Sequence, residues 1–356
     1  MKLVVTANKL NVRKTPVIDF AKKSNIVGVI VKDSIHESTE QHENILGVWH
    51  KIDDGWVNEK WLSEDKTLEN INWWFDKYKI PDWWTLTKGE DVLVSVFDSG
   101  IDTKNKYINT KIDFELSKNY WNNNNDITDL YFHGTHCSSL IVADTYNTFS
   151  GIAPEARISV IKITNKGSIL NSVIAKALRD IIINPSIDII SISLQIETAN
   201  DELILLFKEA VTKYNKIIVC SIGNNADKIP VEQDVYPAKL SLSIPIISVG
   251  SLNSLEEFSE LNYLFPATIF CPGEDIYSFN ASQVLVKESG TSQSTAIMSG
   301  IISLIISRLK QKNKQVLPEL IKEMISSSTR KEKSEKYDIT YNKLDMDLLF
   351  ETLKSI

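Results

Sequence analysis

The sequence predicts an α/β protein: a parallel β-sheet flanked by helices, preceded by a small all-β unit. Three observations carry this. From Val92 onward, apolar runs of five to seven residues alternate with longer helix-like stretches. Those runs are nearly continuous, as in strands buried on both faces by covering helices. Before them, residues 1–65 hold short β-branched runs separated by turn residues.

Taken in order, LVVTA, IVGVIVKD, ILGVWHKI and GWVNEKWL are the runs of the first unit, residues 1–65. Residues 66–90 read as a linker and lead-in segment. Its Trp73, Trp74, Trp83 and Trp84 are aromatics of the kind that pack a segment onto a neighbouring body. Residues 91–356 form the larger α/β domain. Its strand candidates are VLVSVF, ISVIKI, IDIISIS, KIIVCSI and IPIISVG. NSVIAKALRDIII and DELILLFKEAVTKY lie between them as helices. In the first, Val173, Ala177, Leu178 and Ile181 fall on one face.

The chain has 356 residues, 43% hydrophobic and 24% charged, so it can build one sizeable core and a satellite. A net charge of -7 argues against a nucleic-acid footprint. No apolar stretch reaches the length of a membrane span. The first residues, MKLVVTANKLNVRK, lack the pattern of a secretory signal. Cys137, Cys220 and Cys271 are odd in number and scattered, which suits buried thiols rather than disulfides or zinc. A cytoplasmic location is the expectation, with leaderless export left open.

Three local patterns offer chemistry. VLVSVFDSGID, residues 92–102, is a buried strand that ends at Asp98. Carboxyl ends of parallel strands are where catalytic groups collect, although Asp98 alone also reads as a turn residue. FHGTHCSSLIVA, residues 132–143, reads as a helix presenting His133 in its first turn. His136 is the other histidine there, and it reads as structural. SGTSQSTAIMSGIISLII, residues 289–306, places Ser292 at the start of a buried helix. The positive end of a helix dipole favours developing negative charge there, and an N-cap is the plainer alternative.

Together, DSG at 98–100, HGTH at 133–136 and GTS at 290–292 resemble the three active-site motifs of the subtilisin-like serine proteases. GIAP at 151–154, SIGNN at 221–225, YPA at 236–238 and CPGEDI at 271–276 keep the same register. The resemblance covers residues from about 75 to 350. It implies a serine endopeptidase with Asp98, His133 and Ser292 as catalytic triad, needing no cofactor. It also implies that Asn224 donates to the oxyanion, with Asn225 as its rival. Ser193, Leu194, Gln195, Ile222 and Gly223 would bound the substrate pocket, with a peptide adding as a strand along SISLQ, 191–195. The implied partner is a protein or peptide substrate.

Several positions depart from the family pattern. Gln195 replaces a glycine, Gln293 a methionine and Ala296 a proline. Gln195 is expected either to narrow the pocket or to face solvent. A calcium loop would fall at DTYNTFS, 144–150, where Asp144 and Asn147 are sparse ligands, so metal is left unassigned. LNVR and the GWV…WL ending make residues 1–65 resemble a bacterial SH3-like domain. Such a unit would hold a peptide or cell-wall ligand, dock on the larger domain, or act as an atypical inhibitory prodomain. The competing reading of the whole chain is a catalytically impaired, protease-like peptide-binding or regulatory protein.

Overall fold

The computed structural model describes residues 2–5, 9–15, 26–31, 35–44, 47–52, 55–59, 62–64, 72–145, 149–166, 169–224 and 235–356. The β-rich start forms β1 (Lys2–Val5), β2 (Lys9–Arg13), β3 (Ile26–Val31), β4 (Ile35–Asn44), β5 (Gly47–Ile52), β6 (Gly55–Asn58) and β7 (Leu62–Glu64). These strands pair antiparallel. Val12, Ile30, Ile52 and Val57 make a small core between them.

Two short helices follow, α1 (Trp73–Lys77) and α2 (Ile80–Trp83). They are not a loose linker. Trp74 and Trp83 are buried in the main core. Trp73 donates its indole N–H to the Glu274 carbonyl at 3.0 Å, and Trp84 donates to the Ile152 carbonyl at 2.8 Å. The large, amphipathic indoles fasten this segment to the larger body.

That body contains β8 (Leu93–Asp98), β9 (Lys118–Asn119), α3 (His133–Val142), β10 (Arg157–Lys162), α4 (Asn171–Ile182), β11 (Ile189–Ile192), α5 (Asp201–Thr212) and β12 (Ile217–Ser221). It continues with β13 (Ile247–Leu252), β14 (Ile269–Pro272), β15 (Ile276–Phe279), β16 (Leu285–Glu288), α6 (Thr291–Gln311), α7 (Pro318–Ser327), β17 (Thr329–Ser334), β18 (Ile339–Leu344) and α8 (Met346–Lys354). The five apolar runs become β8, β10, β11, β12 and β13, as expected. Strand order is β17-β18-β14-β13-β12-β11-β8-β10-β9. Every pairing in it is parallel except β17 with β18.

Alternation along the strands splits the core into two layers. Val94, Val96, Ile217 and Val219 face α3 and α6. Leu93, Phe97, Ile218 and Cys220 face α4 and α5. On α4, Ala177, Leu178 and Ile181 are buried as expected; Ile174 joins them, while Val173 is only partly covered. Helix α6 is buried almost all round, which suits a central core helix. Its hydroxyl side chains make this workable. Thr295, Ser299 and Ser303 return their hydroxyls to the carbonyls four residues back, each at 2.8 Å. Ser299 also meets Ser191 of β11 at 2.9 Å.

One join was not expected. The β15–β16 hairpin belongs to the larger domain in sequence, yet β16 pairs with β4 of the first unit through Leu285 and Ile35. Val284 completes the small core of that unit, and Val286 packs against it.

Candidate active site

Strands β8, β11 and β12 are parallel neighbours, so their carboxyl ends open on one side of the sheet. Asp98 is the last residue of β8 and is 1% exposed. His133 is the first residue of α3, and Ser292 is the second of α6. The imidazole Nδ1 lies 2.8 Å from Asp98 Oδ1 and 2.9 Å from Oδ2. Asp98 Oδ1 also accepts the Ser99 backbone N–H at 2.7 Å. Gly134 allows this approach: a Cβ there would sit 2.2 Å from the Gly100 carbonyl oxygen.

His133 and Ser292 line one cleft of about 890 Å³ together with Tyr131, Ser193, Gln195, Gly223 and Asn224. The Ser292 hydroxyl donates to the Ser193 carbonyl at 2.8 Å, and the Ser193 hydroxyl donates back to the Ser292 carbonyl at 3.2 Å. In this rotamer the Ser292 proton must swing to reach the imidazole. Free enzymes often hold such bonds loosely before substrate arrives.

Burial works to lower the His133 pKa, but the Asp98 carboxylate outweighs it. The ring is held well above its ordinary 6.5. His136 behaves oppositely. Burial, then the neighbouring His133, push it down to about 3. It stays neutral, with Nε2 donating to the Val286 carbonyl at 3.4 Å and Nδ1 facing the Gln293 amide nitrogen at 3.5 Å. Cys137 lies under the site, 4.0 Å from His133 Nδ1, where burial pushes its thiol pKa up. That keeps it protonated and a poor nucleophile.

Asn224 follows β12. Its Oδ1 accepts the Thr291 backbone N–H at 2.8 Å, which turns the Nδ2 end toward Gly290. A Cβ on Gly290 would approach that nitrogen to 2.9 Å, so glycine leaves the amide its room. Asn225 lies outside the described residues. Ser193, Leu194, Gln195 and Gly223 line the cleft, but Ile222 does not. The alternation that buries Ile218 and Cys220 buries Ile222 with them. The expected strand 191–195 is also corrected: β11 ends at Ile192 and is paired on both sides, so a peptide can meet only the segment from Ser193 onward.

Sequence reasoning missed Asp129. This buried carboxylate accepts the Ser99 hydroxyl at 2.8 Å and the Tyr131 and Phe132 N–H groups at 3.0 and 2.8 Å. It also accepts the Thr135 N–H at 2.8 Å and the Thr135 hydroxyl at 2.7 Å. Ser99 in turn accepts the Gly134 N–H at 3.0 Å. Asp129 therefore ties the loop after Asp98 to the first turn of the His133 helix. Asp129→Ala strands five donors, three of them in buried bonds. It is expected to cost roughly 3–5 kcal/mol in urea unfolding; a loss below 1 kcal/mol would mean that water replaces the carboxylate. An acid four residues before a histidine motif is the only sequence signal that could have found it.

Among the described residues, one group of three or more His, Cys, Asp or Glu side chains converges closely enough for a metal: Asp98, His133 and Cys137, within 4.8 Å. A thiol and an imidazole are the wrong donors for calcium. Asp144 bridges Ser150 through its backbone, and Asn147 lies outside the described residues.

The model of the subtilase family matches residues 89–342. The chain is a subtilase. It is 30% identical over 236 residues to the "Major intracellular serine protease" of Bacillus subtilis (strain 168), covering 62% of this chain and 70% of that protein. It is 28% identical over 249 residues to the "Intracellular serine protease" of Paenibacillus polymyxa, covering 67% and 74%. A cold-adapted subtilisin-like serine proteinase shares the fold with a TM-score of 0.62 at 21% identity, over 72% of this chain and 89% of that one. The prenylagaramide maturation protease PagA does so with a TM-score of 0.64 at 20% identity, over 77% and 98%. This subtilase is a subtilisin-like serine endopeptidase acting on protein or peptide substrates. No helix among its described residues is long and apolar enough to cross a membrane.

Proposed function

We propose that Ser292 is the nucleophile, His133 the general base and acid, and Asp98 the group that orients and charges the imidazole. The observation that carries this is the Asp98–His133 hydrogen bond at 2.8 Å beside a helix-borne serine in the same cleft. Asp98 holds Nδ1 protonated, which leaves Nε2 free to accept the serine proton. Ser292 then attacks the scissile carbonyl; His133 passes the proton to the leaving amine, and water reverses the sequence to release the acyl group. A fluorophosphonate should label the wild type and not Ser292→Ala. An unlabelled wild type would leave a protease-like binding protein as the better reading.

In this reading the oxyanion is met by the Ser292 N–H and the Asn224 Nδ2. The bond from Asn224 Oδ1 to Thr291 supports it, because it fixes which end of the amide faces the cleft. Asn224→Ala is expected to lower kcat by roughly 10²–10³-fold with little change in KM. A loss below fivefold would assign the donor elsewhere.

The same proposal makes residues 1–65 an SH3-like unit that docks rather than inhibits. Its core is shared with Val284, and none of its described residues lines the cleft. Self-cleavage near residues 65–75 that is required for activity would overturn this. An intracellular site of action is supported by three buried free cysteines and by similarity to two intracellular serine proteases. Fractionation that finds the protein in the medium of intact cells would refute it.

A further inference from the structure

This inference rests on the reading that Ser292 attacks a peptide lying in the cleft. The residue on the acyl side of the scissile bond must then place its side chain next to Ser292. Two walls of the cleft flank that position: Ser193–Gln195 after β11, and Ser221, Gly223 and Asn224 at the end of β12 and just beyond it. Gln195 is half-buried, and its side chain crosses from the first wall to the second. Its Nε2 donates to the Tyr263 hydroxyl at 2.9 Å. Its Oε1 would lie 2.6 Å from a Cβ built on Gly223, and two ring carbons of Tyr263 would lie 2.5 Å from the same point. Both side chains thus press on one face of Gly223.

The second wall is itself anchored to the residue before the nucleophile. Gly223 donates its N–H to the Thr291 hydroxyl at 3.2 Å, and its carbonyl accepts the Tyr263 N–H at 3.1 Å. Gly223 has a φ of +95°, a backbone that glycine tolerates and other residues rarely adopt. The crossing is therefore a fixed feature of the slot. Tyr263 is largely buried, which holds its ring in place against Gly223.

We propose that Gln195, bolted to Tyr263, sets specificity by bridging the slot and admitting only small residues (glycine, alanine, serine) before the scissile bond. A leucine or phenylalanine side chain can enter only by displacing the amide. That breaks the Gln195–Tyr263 hydrogen bond and sets polar groups against apolar atoms, which is disfavoured. A solvent-facing Gln195, the alternative, would leave the slot open.

The test uses the full chain and peptide anilides that differ only in the last residue: Ala, Leu or Phe. For wild type, kcat/KM is expected to be at least tenfold higher for Ala than for Phe. Gln195→Gly should raise the Phe-to-Ala ratio of kcat/KM by roughly 10–100-fold. Tyr263→Phe, which removes only the anchoring hydroxyl, should raise it less but in the same direction. Wild-type preference for Phe, or a Gln195→Gly variant with an unchanged ratio, overturns the proposal. Titration of product peptides ending in Ala or Phe into Ser292→Ala reads the same selectivity without turnover. If wild type cleaves none of the anilides but these peptides still discriminate, the nucleophile assignment fails and the role of Gln195 stands.

Discussion

Ser292→Ala is expected to lower kcat on the order of 10⁶-fold, with KM moved only a few-fold. The size follows from the chemistry. Without an oxygen at this position no acyl-enzyme forms, and water must attack without a positioned nucleophile. What survives is the oxyanion environment and substrate orientation, worth roughly 10³–10⁴ over the uncatalysed reaction. The fold should survive as well. The lost hydroxyl makes one bond, to the Ser193 carbonyl, beside a cleft that water can enter. The helix start keeps its other ties: Thr291 N–H to Asn224, and the Ser193 hydroxyl to the Ser292 carbonyl. An active-site titration with single-turnover kinetics checks this. Residual kcat within tenfold of wild type would mean that another group attacks. Loss of peptide binding along with kcat would mean that the substitution disturbed the cleft.

The parts of the fold that could be read from sequence are those set by local pattern. β8, β10, β11, β12 and β13 each bury both faces, so each leaves a nearly continuous apolar run. Asp98, His133 and Ser292 sit at element ends, each inside a short motif that can be read without its distant neighbours. What escaped depends on distant partners. Gln195 meets Tyr263, 68 positions away, so its sequence neighbours cannot say whether it faces solvent. Asp129 lies in a loop without periodicity, and its value comes from donors contributed by Ser99 and Thr135. Val284 looks like any hairpin residue, yet it completes a core built by residues more than two hundred positions earlier. Ile222 was misplaced for the opposite reason. It belongs to a motif, but the two-residue period of its strand decides where its side chain points.

Asp98→Asn should lower kcat by roughly 10⁴-fold and also move the pH profile, and the second effect is the sharper test. Asp98 Oδ1 is fixed by the Ser99 N–H at 2.7 Å, so the oxygen of an introduced asparagine should keep that bond. Its NH₂ group then takes the place of Oδ2, which lies 2.9 Å from His133 Nδ1. Oδ1 still lies 2.8 Å from Nδ1, so two acceptors become one acceptor and one donor, and the donor favours Nδ1 as acceptor with the ring proton on Nε2. That is the wrong tautomer to receive a proton from Ser292. The charge change acts separately. The wild-type ring titrates well above 6.5 because the carboxylate overcomes burial. Protonated His133 cannot act as base, so wild-type kcat/KM should fall with decreasing pH through a limb lying above 6.5. With the carboxylate gone, burial is left as the dominant influence and drives the ring pKa below 6.5. The acid limb of Asp98→Asn should therefore shift to lower pH, and raising the pH should not restore the rate. A variant with the wild-type limb, or with kcat within tenfold of wild type, would show that the carboxylate neither charges nor orients the ring.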